Sequence, residues 1–207
     1  MLTKQQLNIF SVFKKDIFAE FTFKQIKDMS RQKSNNVTQL ALKEFIKQNL
    51  IKIKRTGDVN TYYLNLDNNT TFSYLNLINQ LELRIKKIPI QVIHSIHIQI
   101  LKYTPFFVLL VFGSYAKGKA TKKSDLDVAI IVESDQTKKE ITPYLETIKR
   151  REILKLDYHI FTTKEFLEML MSEQENVGKQ IYRENIIYYD AIAYYNIIRT
   201  IKNEYNI

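Results

Sequence analysis

The feature that most constrains this chain is a seven-residue apolar run, residues 106–112, that stops at Gly113-Ser114 and is followed after ten residues by Asp125-Leu126-Asp127. The run follows Pro105, which ends a helix expected over residues 90–103, and it reads as a strand. Beyond it the chain alternates. Strands are expected over 126–133, 152–161 and 186–189, with helices over 137–149, 163–172 and 177–182 and a last helix whose apolar face carries Ile192, Tyr195, Ile198 and Ile201. Alternating strands and helices give an α/β (α+β) class, with a short mixed sheet flanked by helices.

Alternation along a strand puts Asp125 and Asp127 on one face and Leu126, Val128 and Ile130 on the other. Two carboxylates about 7 Å apart along a strand can jointly hold a hard, oxygen-preferring cation such as Mg²⁺. Carboxylates on one surface repel, so a dication is the economical reason to keep both. Gly113 lets the backbone approach a phosphate closely, and the Ser114 hydroxyl with the amides that follow forms an anion cradle. Lys117, Lys119, Lys122 and Lys123 surround it with positive charge. The loop would grip a triphosphate while the aspartates hold metals that bridge its oxygens to an attacking hydroxyl. Nothing here offers a covalent nucleophile, so direct in-line displacement is the expected reaction. The alternative reading is a Gly-Ser turn beside a solvated Asp-x-Asp.

The net charge of +9 is unevenly divided: residues 1–66 carry 12 Lys+Arg against 5 Asp+Glu, and residues 67–207 carry 19 against 17. A polyanion is the natural partner of the first third, with a solvated basic surface as the plain alternative. Leu7, Phe10, Phe13 and Ile17 recur at helical spacing; Thr22 can cap a second helix with Phe23, Ile26 and Met29. Val37, Leu40, Ala41 and Phe45 mark the buried face of a third, leaving Asn35, Asn36, Thr38, Gln39, Lys43 and Lys47 outward. Ile51 and Ile53 alternate with Lys52 and Lys54, and a turn at residues 56–58 closes a hairpin with Tyr62, Leu64 and Leu66. Three helices and a basic hairpin resemble a winged helix-turn-helix. That resemblance implies DNA binding, with Asn36, Thr38, Gln39, Lys43 and Lys47 meeting a groove and Lys52, Lys54 and Arg55 meeting phosphates. Such modules also dock proteins or dimerise, and both readings stay open. The expected domains are residues 1–66, a helical connection over 67–105 that opens the second domain, and a catalytic domain over 106–207.

The residues Gly113-Ser114-Tyr115-Ala116-Lys117-Gly118-Lys119-Ala120 and then Ser124-Asp125-Leu126-Asp127-Val128-Ala129-Ile130 resemble the signature of the DNA polymerase beta-like nucleotidyltransferase superfamily. The nearest likeness is to its small branch, the minimal nucleotidyltransferases of archaea and bacteria, often paired with HEPN-domain toxins. The resemblance implies a nucleotidyltransferase fold over about residues 72–207, two Mg²⁺ ions, and a third carboxylate on the strand after the intervening helix. Asp157 occupies that place, opposite the apolar face of Leu154, Leu156, Tyr158 and Ile160. By the resemblance Asp125, Asp127 and Asp157 are the catalytic and metal-binding residues. Gly113, Ser114, Lys117, Lys119 and Ser124 bind the nucleoside triphosphate, with ATP the expected donor of AMP. The acceptor hydroxyl would belong to a partner toxin protein or to RNA such as a transfer-RNA end, and a homodimer is an open expectation. An antitoxin-like protein that also represses its own promoter would combine both halves. The competing reading is a winged-helix transcription regulator whose nucleotidyltransferase domain only binds nucleotide or dimerises.

His94 and His97, three apart on a helix, have metal-ligand spacing but no third ligand nearby, so packing is the expected role. His159 shares a strand face with Asp157 and would border the cleft. Cysteine is absent, which removes disulfides and thiolate metal sites and agrees with a reducing, cytoplasmic setting. The longest apolar run is far below the roughly 18 to 20 residues of a membrane span, and the first twenty residues lack a signal-peptide pattern, so no membrane partner is expected.

Overall fold

Hydroxyl and amide side chains start most of the helices. The computed structural model describes residues 1–205, and the chain divides into two units, Met1–Ile78 and Asn79–Ile207.

In the first unit, Thr3 caps α1 (Lys4–Phe10) and Thr22 caps α2 (Phe23–Met29), each in a reciprocal box with a glutamine three residues on. Between them lie a 3-10 turn, Ser11–Lys14, and the two-residue strand β1, Phe21–Thr22. The expected single first helix therefore tightens at Ser11, and β1 lies where sequence patterning showed no strand. Ser34 caps α3 (Asn35–Lys47), and β2 (Ile51–Thr56) and β3 (Val59–Leu64) form the hairpin. Gly57 turns it with φ +61°, and the sheet order is β1-β3-β2, all antiparallel. Phe10, Phe13, Ile26, Phe45 and Leu50 fill the core, with Phe10 and Phe45 edge to face at 5.1 Å.

The phase of α3 differs from expectation. Thr38, Ala41, Leu42 and Phe45 point inward, whereas Leu40 is 55% exposed. Positions 38, 41, 42 and 45 form one continuous helical stripe, and Leu42 fills it better than Leu40. Thr38 tolerates burial because its hydroxyl donates to the Ser34 carbonyl at 3.1 Å, so this residue cannot reach a DNA groove.

The boundary between the units falls within α4 (Asn69–Ile85). In the second unit β4 (Phe107–Phe112) is buried along its whole length. It lies between β5 (Leu126–Val132) and β7 (Asn185–Tyr189), antiparallel to both, while β6 (Leu156–Thr162) pairs parallel with β5. The order β6-β5-β4-β7 is thus a mixed sheet, as expected for a nucleotidyltransferase fold.

One face of the sheet presents Leu109, Val111, Val128, Ile130 and Leu156 to α5 (Ile90–Ile100) and α7 (Asp135–Arg151). The other face is packed by α8 (Thr163–Met171) and α10 (Ala191–Tyr205), with Phe161 against Phe166 and Phe166 against Tyr194. Helix α9 (Val177–Arg183) completes this side, lying so close to α8 that a Cβ on Gly178 would stand 2.7 Å from the Cβ of Met169. Asn79, fully buried, accepts from the Ile187 amide at 2.9 Å and donates to the Tyr195 hydroxyl at 3.1 Å, tying α4 and α10 to β7.

Two further expectations shift. Strand β6 starts at Leu156 rather than 152, because α7 continues to Arg151 and the chain needs residues 152–155 to turn back. On α10 the buried stripe is Ala191, Tyr194, Tyr195 and Ile198, and Ile192 is 47% exposed.

Helix α8 starts in a capping box, Thr162 with Glu165, and both Glu165 oxygens also accept from Lys138 Nζ at 2.9 Å. Lys138 and the Thr162 amide hold the Glu165 carboxyl below its ordinary value. A lowered folded-state value stabilises the protein above the unfolded value and the gain disappears as pH falls through the folded one. Glu165→Gln, which keeps the cap but not the charge, is therefore expected to cost up to about 1 kcal/mol at pH 7, a cost that shrinks as pH falls below the ordinary glutamate value, checked by thermal melts across that range.

Candidate active site

The site begins where β4 runs out. Phe112 is extended, and Gly113 takes φ +65°, a left-handed conformation that glycine adopts without a Cβ penalty. A single helical turn, α6 (Gly113–Ala116), follows, with Lys86 Nζ donating to the Ala116 carbonyl at 2.6 Å. A Cβ on Gly113 would lie 1.9 Å from Asp127 Oδ2, so the glycine backbone rests directly against that carboxylate. The Ser114 amide hydrogen-bonds Asp127. The loop back to β5 is built on Thr121 and Ser124, whose hydroxyls lie 3.2 Å apart, with the Thr121 amide donating to Ser124 Oγ at 2.9 Å.

Asp127 stands on β5 in direct register with Asp157 on β6. Asp125 is exposed just before β5, Asp127 is half-buried and Asp157 is exposed. Burial first, then the charge of Asp157 and that of Asp125, push the Asp127 carboxyl above its ordinary value, against the opposing pull of the Ser114 amide and His159. His159 Nε2 lies 3.6 Å from Asp157 Oδ2, and its ring is parallel to that of Phe161 at 5.9 Å. Among the described residues no three or more His, Cys, Asp or Glu side chains are grouped so as to hold a metal ion. The arrangement is a carboxylate pair with a third acid close enough to repel it. All three offer the hard oxygen donors that Mg²⁺ takes, and their mutual repulsion is what a dication would relieve, so the residues fit that ion chemically.

Of the other sequence candidates, Lys117 and Lys119 are exposed beyond the Gly113 turn. Lys117, with Gly113, lines a cavity of about 390 Å³ that also takes in residues of α9. Ser124 is engaged with Thr121. In the first unit Asn36, Gln39, Lys43 and Lys47 are exposed on α3, and Gln39 and Lys43 line a groove of about 660 Å³ with Val59 and Asn60 of the hairpin. Lys52 is paired with Asp67 at 3.0 Å, Lys54 with Glu20 at 2.9 Å and Arg55 with Asp58 at 3.8 Å. His94 Nδ1 lies 3.2 Å from the Tyr188 hydroxyl. His97 packs among Phe107, Tyr188 and Tyr189, where burial and His94 lower its pKa. That α9 would line the cavity beside Gly113 was not expected from the sequence. The local signal was slight, an Arg183-Glu184 pair where a helix gives way to a strand.

Among the described residues no helix is long and apolar enough to cross a membrane. No curated protein and no solved structure matches the chain. Residues 98–187 match the family model described as Polymerase beta, Nucleotidyltransferase. That segment spans β4, the Gly113 turn, Asp125, Asp127, Asp157 and α9, and the match supports the polymerase beta-like superfamily for this part of the chain, with nucleotidyl transfer as its general chemistry.

Proposed function

We propose that this protein is a Mg²⁺-dependent nucleotidyltransferase that moves a nucleoside monophosphate, AMP from ATP in the first instance, onto an acceptor hydroxyl of a protein or RNA. The observation that carries this reading is Asp127 held between the Gly113 backbone and Asp157. Asp125, Asp127 and Asp157 would hold the metal, which when bound neutralises phosphoryl oxygens and acidifies the attacking hydroxyl. Ser114 and Lys117 bind the phosphate chain. Asp157, exposed and next to His159, takes the hydroxyl proton as the acceptor oxygen bonds to the α-phosphorus. The α–β phosphoanhydride bond breaks and pyrophosphate leaves.

The test is purified protein with Mg²⁺, a cell extract and ATP labelled at the α or the γ phosphate, with Asp125→Ala/Asp127→Ala as control. Stable label from α alone, lost in the control, is the expected result, and protease or ribonuclease sensitivity then names the acceptor class. Tight ATP binding with no transfer from any nucleotide would favour the regulator that merely senses it.

The first unit is the regulatory half of this reading: a winged helix that binds the protein's own promoter in an antitoxin-like arrangement. Its helix order and the exposed Asn36, Gln39, Lys43 and Lys47 support it. Because Lys52, Lys54 and Arg55 already have acidic partners, each phosphate contact they make is an exchange of ion pairs, so binding is expected to be weak and steeply salt-dependent. A mobility shift of upstream DNA at 20 mM but not at 200 mM salt is expected, and no shift at low salt removes this half.

A further inference from the structure

We propose that α9 supplies a second cation, Arg183, to the phosphate chain of the donor nucleotide, and that Glu175 holds this guanidinium until the nucleotide displaces it. The inference rests on the nucleotidyltransferase reading. The cavity of about 390 Å³ opens on Gly113 and is lined by Lys117, Glu175, Gln180, Arg183 and Glu184. Its size falls in the range of small-molecule sites, about 300–1,000 Å³.

The position of Arg183 is built rather than incidental. Asn185, which pairs with Phe112 across β7 and β4, donates to the carbonyls of Ile181 at 2.9 Å and Tyr182 at 3.3 Å and to the Tyr194 hydroxyl at 3.0 Å. The C-terminal end of α9 is thereby fastened beside β4, the strand that leads into Gly113. Gly178, pressed on Met169, sets the other end. Arg183 Nε donates to the Lys179 carbonyl at 3.2 Å, and its Nη2 pairs with Glu175.

The cavity lies on the other side of Asp127 from Asp157. Asp127 is on β5, with Asp157 toward β6 and with Gly113 and the cavity toward β4 and β7. In-line displacement requires attacking and leaving oxygens on opposite sides of the phosphorus. With the acceptor entering beside Asp157, the leaving pyrophosphate extends over Gly113 into the cavity. Its lining holds two cations, Lys117, which has no ion pair among the described residues, and Arg183. A guanidinium fork matches phosphate oxygens as well as it matches a carboxylate, so the highly charged donor can replace Glu175 without leaving Arg183 unpaired.

The full chain is titrated calorimetrically with ATP and, separately, with inorganic tripolyphosphate, in Mg²⁺. Arg183→Ala is expected to raise Kd for both about tenfold, the loss of one charge-assisted contact. Glu175→Gln should act in the opposite direction, lowering both Kd values about threefold, because an exposed pair no longer competes. Glu184→Gln, which removes the same charge from the same lining without touching the Arg183 pair, should tighten binding less than Glu175→Gln. An unchanged Kd in Arg183→Ala with an unchanged melting temperature overturns the proposal, as does Glu175→Gln weakening binding. Equal tightening by the two glutamine variants would reduce the effect to net charge and also overturn it. Should Arg183→Ala fail to fold, the ordering of the two glutamine variants decides. Wild-type protein that binds neither probe defeats the nucleotidyltransferase reading itself.

Discussion

Gly113→Ala is expected to lose transfer activity by about 100-fold or more, the loss that an ångström of misplacement at a reacting centre can produce. The added Cβ would sit 1.9 Å from Asp127 Oδ2 and 2.7 Å from its Cγ, so either the carboxylate swings away or the turn after β4 moves. Both displace the group that the site is organised around. The φ of +65° adds backbone strain of about 1–2 kcal/mol for any residue with a Cβ. Gly57→Ala separates the two effects: Gly57 has φ +61° but nothing within 4 Å of a Cβ. It should show the strain in a lowered melting temperature and leave steady-state transfer unchanged. If Gly113→Ala retains wild-type kcat, the contact between Gly113 and Asp127 is not part of the active arrangement.

Asp127→Asn should abolish transfer by more than about 100-fold, since even outer-shell changes at metal sites cost 10–100-fold. It should do so while raising stability in metal-free buffer at neutral pH. Burial and the neighbouring Asp157 and Asp125 charges raise the Asp127 carboxyl above its ordinary value, so the ionised form is disfavoured in the folded state. A carboxyl raised on folding destabilises the protein as pH climbs past its unfolded value, and the amide removes that burden. The advantage of Asp127→Asn should therefore disappear at pH 3, where the wild-type carboxyl is protonated. Mg²⁺ should raise the melting temperature of the wild type and not that of the variant. A variant that melts below wild type at pH 7 would show that the carboxylate is held by favourable contacts rather than poised for a cation.

Stability and function thus pull apart at one residue, and the fold accommodates the conflict locally. Strand β4 is buried on both faces and β5 nearly so, which anchors the end of the sheet where the repulsion sits. The Ser114 amide offsets part of it. A Leu109→Ala change in the middle of β4 should cost about 2–5 kcal/mol in a denaturant titration, several times the strain at the glycine turn.

The reach of sequence reasoning follows the range of the interactions involved. Gly113-Ser114, the ten-residue gap and Asp125-Leu126-Asp127 are close in the chain, so strand, turn and strand could be read from order and alternation alone. That Asp157 lies on the strand after the intervening helix followed from the resemblance and from strand alternation, whereas its register beside Asp127 is a property of the folded sheet. The cap at Thr22 was equally local.

What the chain order could not specify was which side of an ambiguous element would be covered. Thr38 and Leu40 both fit a helical stripe, and only packing against the rest of the first unit chose Leu42 and turned Leu40 outward. The lysines of the hairpin looked free until Glu20 and Asp67, distant in sequence, came to meet two of them. Arg183 lines the cavity at Gly113 because Asn185, which fastens the end of α9, pairs with Phe112 across β7 and β4, and that pairing joins residues far apart in the chain. Periodicity and spacing are properties of neighbours along the chain and so were determined by the sequence alone. Burial, ion pairing and the cavity at Gly113 depend on surfaces brought together by folding, and these only the tertiary structure decided.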